Sequence, residues 1–393
     1  MMVKCCHAMM IVFALVSFVS LAAGNVALGI VALCFLVCAF RNRKDLRILD
    51  RTYYVCIAMF MAAMLLSALA SGDVGRGLSV WGDFWFWRAL PFFVVTFLVT
   101  EGTAAKKILF AAAVGLMLDA SCVMGQGLSG DGRPAGFFGH PMTFAGFSCL
   151  YLPIFLVAFL DKRASGRWQW AAGALFAFGL VALALNGTRG AWLAVAVVIV
   201  SLLGYYFFHC RKVAVLALCC LLVAGVGFSQ CDRFTSRVET ITDSKFQSNT
   251  ERLLMWQSAG RMFLDHPVLG VGLGQYKDNY QKKYILPEAK EREIEHAHNN
   301  FVQMAAENGA VGLAGFLALI SGFIGISLWR FRKEKNPYAL MMAASTLALV
   351  LQGLTEYNFG NSAVMKCFWL TEGCLLVLSR TWKDTQDLTG NGK

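Results

Sequence analysis

The chain has 393 residues, of which 58% are hydrophobic and only 15% charged. A soluble domain is nearer half apolar and a quarter charged, so several apolar runs of spanning length make this an all-α polytopic membrane protein. The formal net charge of +11 does not point to nucleic acid, because most basic residues lie in short hops between apolar runs, where they set topology.

The apolar runs fall at 9–23, 25–40, 54–70, 89–100, 108–124, 143–160, 168–185, 191–208, 213–229, 310–329, 339–357 and 363–379. That makes about twelve spans, some of which borrow flanking residues to cross a ~30 Å core. The first run, preceded by Lys4, imitates a signal peptide, and Leu21-Ala22-Ala23-Gly24 resembles a cleavage site. It is read as an uncleaved first span, because another apolar run follows at once and the charge alternation below needs it.

With the hops numbered alternately, Arg41-Asn42-Arg43-Lys44, Lys106-Lys107, Lys162-Arg163, Arg211-Lys212, Arg330-Phe331-Arg332-Lys333 and Arg380-Thr381-Trp382-Lys383 share one side. That side is expected to be cytoplasmic, with both termini. The other side carries 71–88, 125–141, 186–190, the long loop 230–309 and 358–361. The expected organisation is spans and short loops over 1–229, a loop domain over 230–309, further spans over 310–379 and a cytoplasmic tail over 380–393. Of thirteen cysteines, most sit inside apolar runs, where a thiol behaves as a small hydrophobe. Only Cys231 is near the long loop, so no disulfide framework is expected.

The long loop is too large for a tight turn and is expected to fold. Ser248-x-x-Glu251 has capping-box spacing and precedes Leu253, Trp256, Gly260 and Phe263, a helical stripe that ends at Asp265-His266-Pro267. Gly270-Val271-Gly272-Leu273-Gly274 neither follows a strand nor opens a helix, so it reads as a turn and not a dinucleotide cradle. A second amphipathic helix starts near His298, carries Phe301, Val302 and Ala305, and breaks at Gly309.

The chemistry-bearing candidates crowd the outer side. Arg133 lies in Asp131-Gly132-Arg133-Pro134, shortly before His140-Pro141, and Arg189 lies in the five-residue hop Asn186-Gly187-Thr188-Arg189-Gly190. Arg252 falls in the first turn of the loop helix. Any one of them can also be read as an arginine snorkelling to headgroups, a reading that suits Arg88 best and Arg189 and Arg252 least. Together they would form a clamp, because guanidinium forks suit phosphate bidentately. His298 is the candidate base, since an imidazole titrates near working pH; the plain alternative is a helix-start histidine bonded to nearby backbone. His296, if that stretch is helical, points elsewhere. A His-x-His pair can bind metal, but no third ligand at zinc-like spacing is evident, so no metal or other cofactor is expected. Asp83 is a rival base. Asp119 and Glu372 fall inside apolar runs, where a carboxylate is costly; either is functional or pairs with a neighbour such as Lys366.

His298-Asn299, nine residues, then Gly309-Ala310-Val311-Gly312 resembles the His-Asn-x9-Gly-x-x-Gly motif of the O-antigen ligase family. Thr188-Arg189-Gly190 is similar to that family's Ser/Thr-Arg-Gly hop. Arg252-x3-Trp256 followed by Pro267-x2-Gly270-x-Gly272-x-Gly274 resembles its loop signature. The resemblance implies a GT-C-like fold of about twelve spans, with one large helical periplasmic loop late in the chain. It also implies a metal-independent, inverting glycosyltransferase of the bacterial inner membrane. Such an enzyme takes a glycan from undecaprenyl diphosphate on the periplasmic face and attaches it to lipid A–core. His298 would then activate the acceptor hydroxyl, Arg252 and Arg189 would bind the donor diphosphate, and Arg133 would be a third cation. Arg133, His140, Trp256, His296 and Asn299 are the expected substrate contacts.

Two enzymes share this architecture: an O-antigen or capsule polymerase, which commonly has two sizeable outer loops where 186–190 is very short, and a protein O-oligosaccharyltransferase. A transporter would place charges mid-membrane in repeated, broken halves, whereas here they crowd one face.

Overall fold

The structure, a computed structural model, describes residues 2–388 apart from 42–48, 131, 162, 164–165 and, within 210–245, all but 211, 215, 225 and 232–239. Among the described residues every regular element is helical. The chain begins with α1 (Met2–Val16), α2 (Leu21–Arg41), α3 (Arg51–Leu69), α4 (Val74–Gly82), α5 (Leu90–Leu98) and α6 (Gly102–Leu128). It continues with α7 (Pro141–Leu160), α8 (Gly166–Asn186), α9 (Arg189–His209), α10 (Asp232–Glu239) and α11 (Gln247–Asp265). After a short turn of helix at Tyr276–Asn279 come α12 (Asn300–Glu334), α13 (Pro337–Gln352) and α14 (Ser362–Leu388).

Among the described residues eight helices are long and apolar enough to cross a membrane, and two further apolar helices, over Val3–Val16 and Pro337–Gln352, are shorter. The ninth expected span, 213–229, lies almost wholly outside the described residues, as do Asn42, Arg43, Lys44, Asp131, Lys162, Lys212 and Cys231. The fourth expected span, 89–100, forms only the nine residues of α5, about 14 Å at 1.5 Å per residue, half of a ~30 Å core. It need not span alone. The chain ahead of it is already helical through α4 and a π turn, Asp83–Arg88, and Phe92 packs into the bundle with its ring 5.6 Å from Trp369 of α14. The expected span 339–357 ends early, at Gln352, because Asn358 donates to Leu349 O (2.7 Å) and Gln352 Oε1 (2.9 Å) and folds the next residues back over the helix end.

Two helices form the interior. α7 is apolar on every side and is buried over nearly its whole length, as a helix without a polar face must be; α8, α9 and α13 pack against it. α14 lies against α5, α6 and α13. Inside it, Glu372 accepts from Ser345 (2.7 Å) and Thr346 (3.2 Å), while Lys366 donates to Asn25 (2.5 Å). Asp119 accepts from the Phe137 amide at 2.8 Å. Neither carboxylate uses Lys366; one oxygen of each is bonded by a neighbouring segment, and Asp119 Oδ2 and Glu372 Oε2 have no hydrogen-bond partner among the described residues.

The bundle separates its charges by end. At one end Asp50 takes ion pairs from Arg330 and from Arg380 (2.7 Å to the latter), Arg163 pairs with Asp161 at 2.8 Å, and Lys106 and Lys107 line a groove with Arg163. These are described members of the hops assigned to one side. The loop helices and the arginine hops occupy the other end.

There α11 and the residues after it build a small second core. Its buried face is Met255, Ala259 and Met262, packed on Tyr276, Tyr280 and Tyr284. The expected stripe is not that face: Leu253 is 47% exposed and Gly260 also faces out. The i, i+4, i+7 row of Met255, Ala259 and Met262 is the one directed at the tyrosines. The glycine-rich turn is a strap. Val271 and Gly272 donate to the carbonyls of Ala306 (2.9 Å) and Glu307 (3.0 Å), and Ala310 donates to Pro267 O (2.8 Å). Gly309 interrupts α12 with φ 62° and ψ −162°, a combination nearly confined to glycine.

Gly309→Ala would put a Cβ 2.4 Å from the Val268 carbonyl carbon, on top of a backbone cost of roughly 1–3 kcal/mol. The variant is expected to melt several degrees lower and to be nicked in 266–309 at protease levels that spare the parent. An unchanged melting curve would show that the strap tolerates separation.

Candidate active site

The hop between α8 and α9 is the hub of the site. Asn186 is fully buried and donates to the carbonyls of Pro134 (2.8 Å) and Pro141 (3.2 Å). It thereby ties the Arg133 segment to the Arg189 segment, and the Thr188 hydroxyl donates back to Asn186 Oδ1 at 2.6 Å. Arg189 opens α9. Its Nη2 donates to Ser248 Oγ (3.0 Å) and Asn249 Oδ1 (3.1 Å), and its guanidinium lies 5.0 Å from the Phe246 ring centroid. Gly190 sits where a Cβ would overlap Thr355 Oγ1, so the hop also abuts the turn after α13.

These contacts replace the expected capping box. α11 begins at Gln247 with no side-chain cap. Ser248 is spent on Arg189, and the Glu251 carboxylate accepts from the amides of Lys290 and Glu291, both at 3.2 Å. The spacing is that of a cap, but both side chains have longer-range partners.

Asn299 caps α12, accepting from the Phe301 (2.9 Å) and Val302 (3.1 Å) amides. Its amide donates to Leu354 O at 2.9 Å. Directly before it, His298 is held at φ 48°, a left-handed conformation uncommon for a non-glycine residue and typical of sites where surrounding contacts over-determine the backbone. Those contacts are visible: Trp256 Nε1 donates to Ala297 O (2.9 Å), and the Ala297 amide donates to Gln303 Oε1 (2.7 Å). His298 Nδ1 lies 3.2 Å from Glu356 Oε2. The 296–298 stretch is not helical, so His296 does not point away. Its ring lies 4.3 Å from that of His298, edge to face, and its Nδ1 accepts from the His298 amide at 3.3 Å.

Burial and proximity tune these groups. Burial alone would raise the Glu356 carboxyl; its hydrogen bond with His298 and the charges of His298, His296 and Arg252 outweigh burial and hold it below the usual range. Burial pulls Arg252 down from the ordinary arginine value, against the pull of Glu356 and Glu291. Burial, then His298, lowers His296 to about 4, so it is neutral at working pH.

Two cavities meet at Glu356. The first, about 160 Å³, is lined by Arg133, Arg189 and Arg252 together with Phe246, Ser248 and Glu356. The second, about 510 Å³, is lined by Arg76, Arg88, His140, His296, Glu307 and again Glu356, among others. The three arginines expected to converge therefore do so, and His298 adjoins them through Glu356. His140 and His296 face the second cavity. Trp256 and Asn299 line neither; their polar atoms fasten the histidine loop. Asp83 is held by Arg88 at 2.6 Å and lines neither cavity. Glu356 was missed in the sequence because it falls within the apolar run 339–357; the signal was the polar string Thr355, Glu356 and Asn358 between Gly353 and Gly360. Glu356 also supplies the third ligand that sequence spacing lacked. One ligand atom each from His296, His298 and Glu356 lies within 4.8 Å of the others, a set able to hold a divalent ion.

Apolar helices of spanning length define a polytopic helical membrane protein, and its arginine- and histidine-lined cavities lie together at one end. Residues 174–317 match the model of the O-antigen ligase family, a match that supports placing the chain in it and supports a ligase or polymerase-type function. The match takes in Arg189, Arg252 and His298; Arg133 and Glu356 lie outside it. No curated protein matches the chain.

His296 generates a pH prediction. Its folded pKa lies below the ordinary histidine value, so the unfolded chain binds more protons between pH ~6.5 and ~4, and stability falls with pH across that window, by up to about 3 kcal/mol. His296→Gln should flatten the fall in melting temperature over that range. An identical fall in parent and variant would assign the acid sensitivity elsewhere.

Proposed function

We propose that the protein is an O-antigen ligase: an inverting, metal-independent glycosyltransferase that moves a glycan from undecaprenyl diphosphate to a hydroxyl of lipid A–core on the periplasmic face. The observation that carries the reading is the shared cavity, which arginines from three separate segments line together with Glu356, itself in contact with His298.

In this reading the donor diphosphate lies among Arg133, Arg189 and Arg252. The acceptor oxygen attacks the anomeric carbon, the bond from that carbon to the diphosphate oxygen breaks, and the configuration inverts. His298 Nε2 takes the acceptor proton, because Nδ1 is engaged by Glu356; the carboxylate fixes the tautomer and stabilises the imidazolium. The arginines neutralise the charge that develops on the leaving diphosphate. The second cavity, with Arg76, Arg88, His140 and Glu307, receives the acceptor sugar and its polar or phosphorylated substituents. A metal ion on His296, His298 and Glu356 would occupy the base, so the two arrangements exclude each other.

The test uses purified protein with an undecaprenyl-diphosphate glycan and three acceptors: lipid A–core, a second lipid-linked glycan, and a serine/threonine peptide. Transfer to lipid A–core that persists in EDTA is expected. Transfer only to the second glycan would make the protein a polymerase; transfer only to peptide, an oligosaccharyltransferase. Loss in EDTA with recovery on adding zinc would turn the trio into a metal centre.

His298→Ala is expected to lower turnover roughly 10²–10⁴-fold, and Glu356→Gln to lower it less while shifting the pH profile. Arg252→Lys keeps the charge but loses the fork, and should cost roughly tenfold or more. Full activity in His298→Ala would remove the assigned base.

A further inference from the structure

We propose that the end of the bundle opposite this site holds an anionic glycerophospholipid of the surrounding bilayer. A groove of about 1010 Å³ opens there between α1, α6, α7, α13 and α14. One wall is a single face of α6. Lys107, Phe110, Ala111 and Val114 recur at i, i+3, i+4 and i+7 and so line up along the helix. The face is cationic at its mouth and apolar below. From Lys107 to Val114 it descends about 10 Å at 1.5 Å per residue, roughly a third of a ~30 Å hydrocarbon core. Phe110 is 60% exposed and Val114 37%. Ile11 and Leu15 of α1, Ala158 of α7 and Met341 of α13 complete the apolar part.

The mouth is built for a headgroup. Lys106 and Lys107 have no acidic partner among the described residues, whereas Arg163, beside them, is neutralised by Asp161 (2.8 Å) and lies 5.1 Å from the Trp382 ring centroid. The groove therefore presents two uncancelled ammonium groups. Trp168, Tyr338 and Trp382 also line it, the aromatic types that settle at headgroup depth. A cation pair above an apolar slot complements one molecule that carries both parts, a lipid with a net negative phosphodiester and acyl chains. A zwitterionic lipid matches the slot but not the charge.

Native mass spectrometry of the full-length protein released from detergent, with equal phosphatidylglycerol and phosphatidylcholine of identical chains, tests this. Phosphatidylglycerol should be retained over phosphatidylcholine by roughly an order of magnitude. Lys106→Glu/Lys107→Glu should abolish the preference, and Val114→Trp, which fills the slot without changing charge, should lower retention of both lipids. Equal retention by the parent, a preference that survives the double variant, or retention of added undecaprenyl phosphate in place of phosphatidylglycerol would each overturn the proposal.

Discussion

Glu356 stands beside His298 only because two turns, 296–300 and 353–361, are stitched together, and the site depends on that seam. The Asn300 amide donates to Gly353 O at 2.7 Å, its side chain donates to Asn358 Oδ1 at 2.7 Å, and Asn299 reaches Leu354 O. Asn300 and Asn358 are nearly or fully buried. Buried amides of this kind cost free energy unless every group is paired, so the seam is favourable in one register and costly in any other. That is what fixes an imidazole against a carboxylate more than fifty positions further along the chain.

The same logic governs the arginine end. Asn186 joins the Arg133 segment to the α8–α9 hop, Arg189 joins that hop to the start of α11, and Gly190 lets the turn after α13 come into contact. The strap of 267–274 then sets α11 against the broken start of α12. A gap of even one residue in any of these joints would move a guanidinium by several ångströms. Positioning on that scale decides whether charge can be neutralised at a leaving group.

Much of this was legible in the sequence, and the parts that were not share a cause. The helical class, the alternation of basic hops and the break at Gly309 follow from periodicity and composition, whereas the meeting of Arg133, Arg189 and Arg252 is an expectation that the family resemblance sharpens. Ser248 and Glu251 were misread because capping is local and their actual partners, Arg189 and the 290–291 amides, are remote. His296 was misplaced because helical periodicity was extended to a segment that Asn299 shows to lie ahead of the helix. Glu356 was hidden because hydropathy counts a carboxylate at the end of an apolar run as part of it. Spacing reports what neighbours in sequence can do, and a site assembled from five separate segments is decided by contacts that spacing does not carry.

The two ends of the bundle hold their arginines differently. At the basic end the buried guanidinium of Arg330 meets Asp50, which also takes Arg380, and Arg163 meets Asp161. Those cations have their counterions in the fold, as buried charges require. At the other end Arg189 reaches a hydroxyl, an amide oxygen and a ring, groups that orient its guanidinium. Glu356, the carboxylate lining that cavity, is engaged with His298. Cations gathered in a partly desolvated cavity repel one another, and the Glu356 carboxylate offsets part of that repulsion at Arg252. The seam and the hub are what hold those cations beside one carboxylate, by joints between segments far apart in sequence.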